Sequence, residues 1–326
     1  MPKKPDADKI RAFLSNLQAE SWLGTQRRAW PHHAYHYTDV QNAARILANN
    51  QLMSRNRCEE EGLLCTDAAS SAVLSGSPWA HQYARLYFRP RTHVQWHCEG
   101  HTTRETRSSS FPDAHCPVPV FLLFDLEELL TDQECCFSDG NLARRAHTIG
   151  TTHEFLEGLE FRDIYRDAAL PEDRQRADEI KFAMHAEVLF EEALNLSHLK
   201  HIVCRSGAER DTLLTFLGET EEKWRDKIRL EDAGERLFFR MWAYIKSVRL
   251  VNGRLVVQGE DDRHQTFNIL IRVFSPDHDE YQTRVVQRLS EDFAVDLPWS
   301  PDKAAVRIDL NGSLAFRAVL SSRELF

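Results

Sequence analysis

An α+β fold followed by a small all-β unit is what this sequence predicts, on three observations. Apolar residues recur at helical spacing in two stretches of the first fifty residues. Short apolar runs of strand length, Arg85–Phe88 and Val118–Phe124, stand between helical stretches. From about Phe238 onward, short alternating segments follow one another with Asn-Gly turns between them. That change of texture divides the chain into residues 1–238, N-terminal helix included, and residues 239–326.

Taken in order, Asp8–Glu20 reads as an amphipathic helix. Asp39–Ala48 reads as a second, with Val40, Ala43, Ala44 and Leu47 on one face and Thr38 or Asp39 as cap. The strand ending at Phe88 runs into Pro90, and Val118–Phe124 runs into an acidic helix start. Residues 100–117, crowded with His, Thr, Ser, Arg and Pro, read as a flexible excursion. Ile180–Glu191 alternates as a strand, with Met184, Ala186, Val188 and Phe190 on one side and His185, Glu187 and Leu189 on the other. Asn195–Cys204 reads as a short turn or helix leading into a buried strand, and Ala208 to about Ala233 as one charged helical stretch. Lys246–Val251 and Arg254–Val257 flank Asn252-Gly253 as a hairpin. Phe267–Phe274, Val306–Leu310 and Leu314–Leu320 continue the pattern into a sandwich or barrel.

Composition narrows the function. The 326 residues suit two domains, and 42 % hydrophobic residues suffice for a core. No segment approaches the roughly 18 consecutive apolar residues of a membrane span. The N-terminus lacks a signal-peptide apolar run, so a cytoplasmic location is expected. In that reducing compartment the seven irregularly spaced cysteines are expected to be thiols. A net charge of −9 argues against wholesale wrapping of duplex DNA, so any nucleic acid has to enter a local basic groove.

Three constellations can carry chemistry. In Tyr35-His36-Tyr37-Thr38-Asp39 a histidine between aromatics can bond a ribose while a ring stacks on a base; a satisfied strand-edge histidine fits the same letters. Arg89-Pro90-Arg91 can hold a pyrophosphate, or be ordinary surface charge. Glu187, on an otherwise apolar strand, is a carboxylate buried at a cost, suited to stabilising an oxocarbenium-like transition state; an edge-strand glutamate in water is the plainer alternative. His93, His97 and His101, with Cys98, His115 and Cys116, fit no closed zinc pattern, and no metal is expected. Neither a Walker A nor a Gly-x-Gly-x-x-Gly run occurs.

Four blocks in order resemble the DarT family of toxin ADP-ribosyltransferases: Tyr35–Thr38, Leu86–Thr92, Phe137–Gly140 and His185–Leu189. The likeness covers about residues 32–210, and residues 240–326 have no counterpart in short family members. The resemblance implies an ADP-ribosyltransferase-like split β-sheet with helices, NAD⁺ as co-substrate in the cleft, and transfer of ADP-ribose to a base of single-stranded DNA. It implies a toxin role with a macrodomain antitoxin as possible partner. Transfer to RNA or protein, or a degenerate module that binds NAD⁺ or nucleic acid without catalysis, is the alternative. By residue, the likeness puts His36, with Tyr37 and Thr38, at the adenosine-side ribose, Tyr87 near the nicotinamide and Arg91 near the pyrophosphate. Glu187 would hold the nicotinamide ribose 2′-hydroxyl. His185 stands where relatives often carry Gln or Glu, and would orient or deprotonate the acceptor base. Relatives use an arginine after the first helix to help remove the acceptor proton; here only Arg55 and Arg57 are available, and Arg57 is taken. Asp139, Arg144 and Arg145 are the candidates for contact with the acceptor strand.

Overall fold

The computed structural model describes residues 2–63, 78–107, 114–144 and 147–322. Ten strands belong to the first part of the chain: β1 (His33–Asp39), β2 (Gln51–Met53), β3 (Tyr83–Tyr87), β4 (Pro119–Asp125), β5 (Cys136–Ser138), β6 (Ile149–Gly150), β7 (Glu187–Glu191), β8 (Ala193–Asn195), β9 (Leu199–Cys204) and β10 (Ile228–Leu230). Eight of them form one sheet in the order β10-β9-β4-β1-β3-β7-β5-β6, while β2 and β8 pair separately. β1 and β4 are in register over their whole length, from His33↔Asp125 to Asp39↔Pro119, but β1 meets β3 at one pair only, Tyr35↔Tyr87. The sheet is therefore split there. This is the expected α+β architecture.

Local sequence explains the helices. Ala7–Ala19 buries Ala7, Ile10, Leu14 and Leu17, one face at helical spacing. Val40–Asn49 starts where the Asp39 side chain accepts a bond from the Gln41 N–H at 3.0 Å, and ends at Asn50 in a left-handed conformation. Its buried face is the expected Val40, Ala43, Ala44 and Leu47. Thr92, Asp125, Asp173 and Ser206 cap the helices that follow them in the same way.

Two expectations give way. Ile180–Ala183 is not strand but the last turn of the helix Arg174–Ala183, and the strand begins only at Glu187. His185 sits in the intervening turn. The supposed long helix after Ala208 ends at Leu217, because Gly218 takes φ +52°, and the chain finishes as β10, parallel to β9. Of the excursion 100–117, residues 108–113 lie outside the described residues, but His101 is bridged to Ala243.

Seven strands follow: β11 (Tyr244–Val251), β12 (Arg254–Glu260), β13 (Thr266–Ser275), β14 (His278–Arg288), β15 (Phe293–Asp296), β16 (Lys303–Leu310) and β17 (Ser313–Ser321). They make two sheets, β11-β12-β15 and β14-β13-β16-β17, whose inner residues form a second apolar core. Asn252-Gly253 and Asn311-Gly312, all at positive φ, make the tight turns. Cys58, Cys98, Cys116, Cys135, Cys136 and Cys204 are free thiols, and Cys65 lies outside the described residues. No helix among the described residues is long and apolar enough to cross a membrane.

The two cores are fastened by a buried charge cluster. Arg205, at the end of β9, pairs with Glu209 and with Glu99, and its guanidinium lies 4.1 Å from the centre of the Tyr244 ring. Glu99 also accepts the N–H groups of Phe239 (3.0 Å) and Arg240 (2.8 Å). Glu231 accepts from the Phe238 N–H at 3.0 Å and pairs with Arg240 at 2.8 Å. Every charge of this cluster thus has a partner, without which burial would be prohibitive. Arg205→Met strands two carboxylates, and urea unfolding is expected to register a loss of about 3–5 kcal/mol; a loss below about 1 kcal/mol would show the cluster to be incidental.

Candidate active site

The wedge between β1 and β3 is the candidate site. Where the two strands part, a cavity of about 260 Å³ opens, and because the β1 edge is free there, His36, Tyr37 and Thr38 all line it. Arg85 and Tyr87 line it from β3, with Arg45 and Arg55 among the residues opposite. The His36 ring bridges the wedge: its Nδ1 lies 3.1 Å from the Arg85 carbonyl oxygen. Burial lowers the His36 pKa to about 4, so the ring is neutral at pH 7. A carbonyl only accepts, so Nδ1 carries the proton and Nε2 is a bare acceptor.

Glu187 lies one strand beyond. It is the register partner of Tyr87 and is fully buried. Its carboxylate takes two bonds from Arg85, Nε to Oε2 at 2.5 Å and Nη2 to Oε1 at 2.7 Å. Arg85 is diagonal to Glu187 across the antiparallel pair, within reach of a long side chain. Burial alone would lower the Arg85 pKa, but the adjoining carboxylate raises it instead. Arg85, about a third exposed, faces the cavity, and the carboxylate lies behind it. Sequence reading missed Arg85, although a lone arginine in the run Tyr83–Tyr87 was a signal to be found.

The strand carrying Glu187 is held by its neighbour β5. Ser138 Oγ accepts the Glu187 N–H at 3.1 Å and donates to the Gly140 carbonyl at 2.8 Å. A Cβ on Gly140 would stand 2.4 Å from the Phe182 ring, so a larger residue here would have to push that ring aside. His185 packs its ring edge-on to Tyr87 at 6.2 Å between centroids. Its Nδ1 lies 2.7 Å from the Lys181 carbonyl, and burial lowers its pKa to about 4. By the same reasoning Nε2 is an acceptor, and it is buried without a partner.

Other expected residues stand elsewhere. Arg91 does not line the cavity: Asp167 takes its guanidinium at 3.1 Å, and the Phe239 ring lies 4.4 Å below it. Arg89 is buried, donating to the carbonyls of Pro90 and Ile164. Arg57 pairs with Glu61 at 2.8 Å and does not line the cavity, whereas Arg55 lines it while paired with Glu59 at 2.9 Å. Asp139 is engaged by its loop, its Oδ1 accepting the Thr148 N–H at 2.8 Å. Arg144 is exposed, and Arg145 lies outside the described residues. Near Arg144, Trp79 is 38 % exposed and stacks on His147 at 4.5 Å. Among the described residues no group of His, Cys, Asp or Glu is arranged to hold a metal ion.

A family model described as ssDNA thymidine ADP-ribosyltransferase, DarT, matches residues 35–236. Among solved structures, Thermus sp. 2.9 DarT in complex with ADP-ribosylated ssDNA has a TM-score of 0.50 at 17 % identity, covering 63 % of this chain and 96 % of that one. The same Thermus protein in complex with NAD⁺ gives 0.48 at 17 %, covering 63 % and 98 %. Thermosipho africanus DarTG in complex with ADP-ribose gives 0.47 at 14 %, covering 71 % and 56 %. No curated protein matches the chain.

The two histidines yield a measurable consequence. Each has a folded-state pKa near 4 against an ordinary value of 6.5. The unfolded chain thus binds more protons between those values, and stability falls as pH drops from about 6.5 towards 4. In ¹⁵N NMR both rings should keep the Nδ1–H neutral pattern from pH 8 down to 5; a His36 or His185 signal titrating near 6.5 would contradict the buried, neutral assignment.

Proposed function

The chain belongs to the DarT family of ssDNA thymidine ADP-ribosyltransferases, and from that premise we propose that it transfers ADP-ribose from NAD⁺ to a thymidine base of single-stranded DNA in the β1–β3 wedge. The observation that carries the site assignment is the meeting of three sequence blocks: His36 bonded to Arg85, and Tyr87 in register with Glu187.

The residues fit the co-substrate. His36 Nε2 accepts from a hydroxyl of the adenosine-side ribose, beside Tyr37 and Thr38. Arg45 meets the pyrophosphate in place of Arg91, which Asp167 already neutralises. The Tyr87 ring flanks the nicotinamide. Glu187 bonds the ribose 2′-hydroxyl and stabilises the positive charge that builds at C1″ as the C1″–nicotinamide bond breaks. For this Arg85 gives up one of the two carboxylate oxygens it holds. The base nitrogen forms the new bond to C1″, its proton passing to a cleft acceptor. His185 Nε2 is suited to that role, with Arg55, rather than Arg57, holding the base in its deprotonated form. Arg144, with the exposed Trp79, lies along the acceptor strand, where a ring offers stacking to a neighbouring base. Asp139 then supports the loop rather than the strand.

In this reading residues 1–238 are the transferase unit and 239–326 an accessory unit. The protein acts as a cytoplasmic toxin, restrained by a macrodomain antitoxin, in toxin–antitoxin or antiviral defence; the family resemblance supports this part.

Glu187→Ala is expected to cut transfer of labelled ADP-ribose from NAD⁺ to a thymidine-containing single strand by about 10²–10³-fold. Duplex DNA and RNA, run alongside, should accept little. Near-full transfer by the variant would sink the assignment, and better transfer to RNA would move the acceptor.

A further inference from the structure

The chain carries a net charge of −9, yet the outward face of the sheet β14-β13-β16-β17 runs the other way. β13 buries Phe267, Ile269, Ile271 and Val273, so the alternate residues Arg272 and Phe274 point outward. Register extends the pattern sideways. Arg272 lies opposite Arg307, and Arg307 opposite Arg317. Arg284 and Arg288 face outward on β14, and Lys303 opens β16. Against these six cations the same face holds two carboxylates, Glu280 and Asp309. Asp309 is shared between Arg272 (3.0 Å) and Arg307 (2.8 Å). Among the described residues Arg284, Arg288 and Lys303 have no ion-pair partner.

Like charges directly opposite one another on a sheet destabilise it, and one aspartate offsets only part of a three-arginine row. Beside that row runs an apolar one, Phe274–Ala305–Val319, with Phe274 55 % and Val319 52 % exposed. Cations in a row beside an exposed ring are the elements with which proteins hold a single strand without reading its sequence: phosphates on the cations, bases on the ring. Asp277 and Asp279, in and beside the β13–β14 turn, bound the patch at one end.

We infer that this face binds single-stranded nucleic acid, holding the acceptor strand outside the cleft. The inference rests on the acceptor being a single strand. It accounts for an acidic chain handling a polyanion, because this one face gathers six cations against two carboxylates.

The test uses the full chain without NAD⁺, so that it does not depend on transfer. Fluorescence anisotropy with a labelled thirty-nucleotide single strand is read across a salt series. Wild-type binding should weaken as salt rises. In Arg284→Glu/Lys303→Glu, both exposed and unpaired, the slope of log K against log salt should fall by about 1.4, the share of two single-strand phosphate contacts. Phe274→Ala should weaken binding about fivefold or more. With NAD⁺ added, the double variant should raise KM for the long strand while transfer to a four-nucleotide acceptor stays within about twofold. Unchanged binding in both variants overturns the inference, as does equal binding of duplex. A wild type that binds but transfers nothing leaves it standing and refutes the catalytic reading alone.

Discussion

The bidentate bond between Arg85 and Glu187 is the contact around which the site is organised. A carboxylate with no exposure, in a strand whose other residues are mostly apolar, needs a partner that meets both oxygens. The guanidinium does so in its fixed fork geometry. The strand it steadies is held from the other side by the Ser138 hydroxyl, and Gly140 lets that loop close against Phe182. The proposed activity thus depends on a charge that its neighbours hold in place. Its own carboxylate lies behind an arginine that faces the cavity.

Much of the architecture was legible in the letters, wherever the determining contacts are local. The buried stripe of Val40–Asn49, the apolar β4 and both Asn-Gly turns follow from periodicity and turn chemistry. The boundary at Ile180–Ala183 was not, because a few apolar residues at the end of a helix also satisfy a strand alternation. Tertiary pairing decided the sites that were misread. Arg91 is claimed by Asp167 and Phe239, both distant in sequence, and Arg89 by carbonyls around residues 164–166. Arg57 is withdrawn by a partner four residues on, which helical spacing could have suggested. That the strands of His36, Tyr87 and Glu187 adjoin was expected from the resemblance, which supplied a pairing that spacing could not.

The second core is not a loosely tethered appendage. Its first strand begins at Tyr244, whose ring covers Arg205, and the segment leading to it donates main-chain N–H groups to Glu99 and Glu231. Charges from three separate stretches of chain are all partnered only when every stretch is in place. The C-terminal sheets are therefore held in a fixed relation to the wedge, as a surface meant to present one end of a strand to it requires.

The bond from His36 to the Arg85 carbonyl has one more implication. It joins a side chain to the main chain, so it makes no demand on which amino acid occupies position 85. The width of the opening between β1 and β3 is therefore set by the backbone at position 85 and not by the ion pair that its side chain makes. The main chain of β3 thus gauges the chamber, while the side chain at position 85 answers to the buried carboxylate.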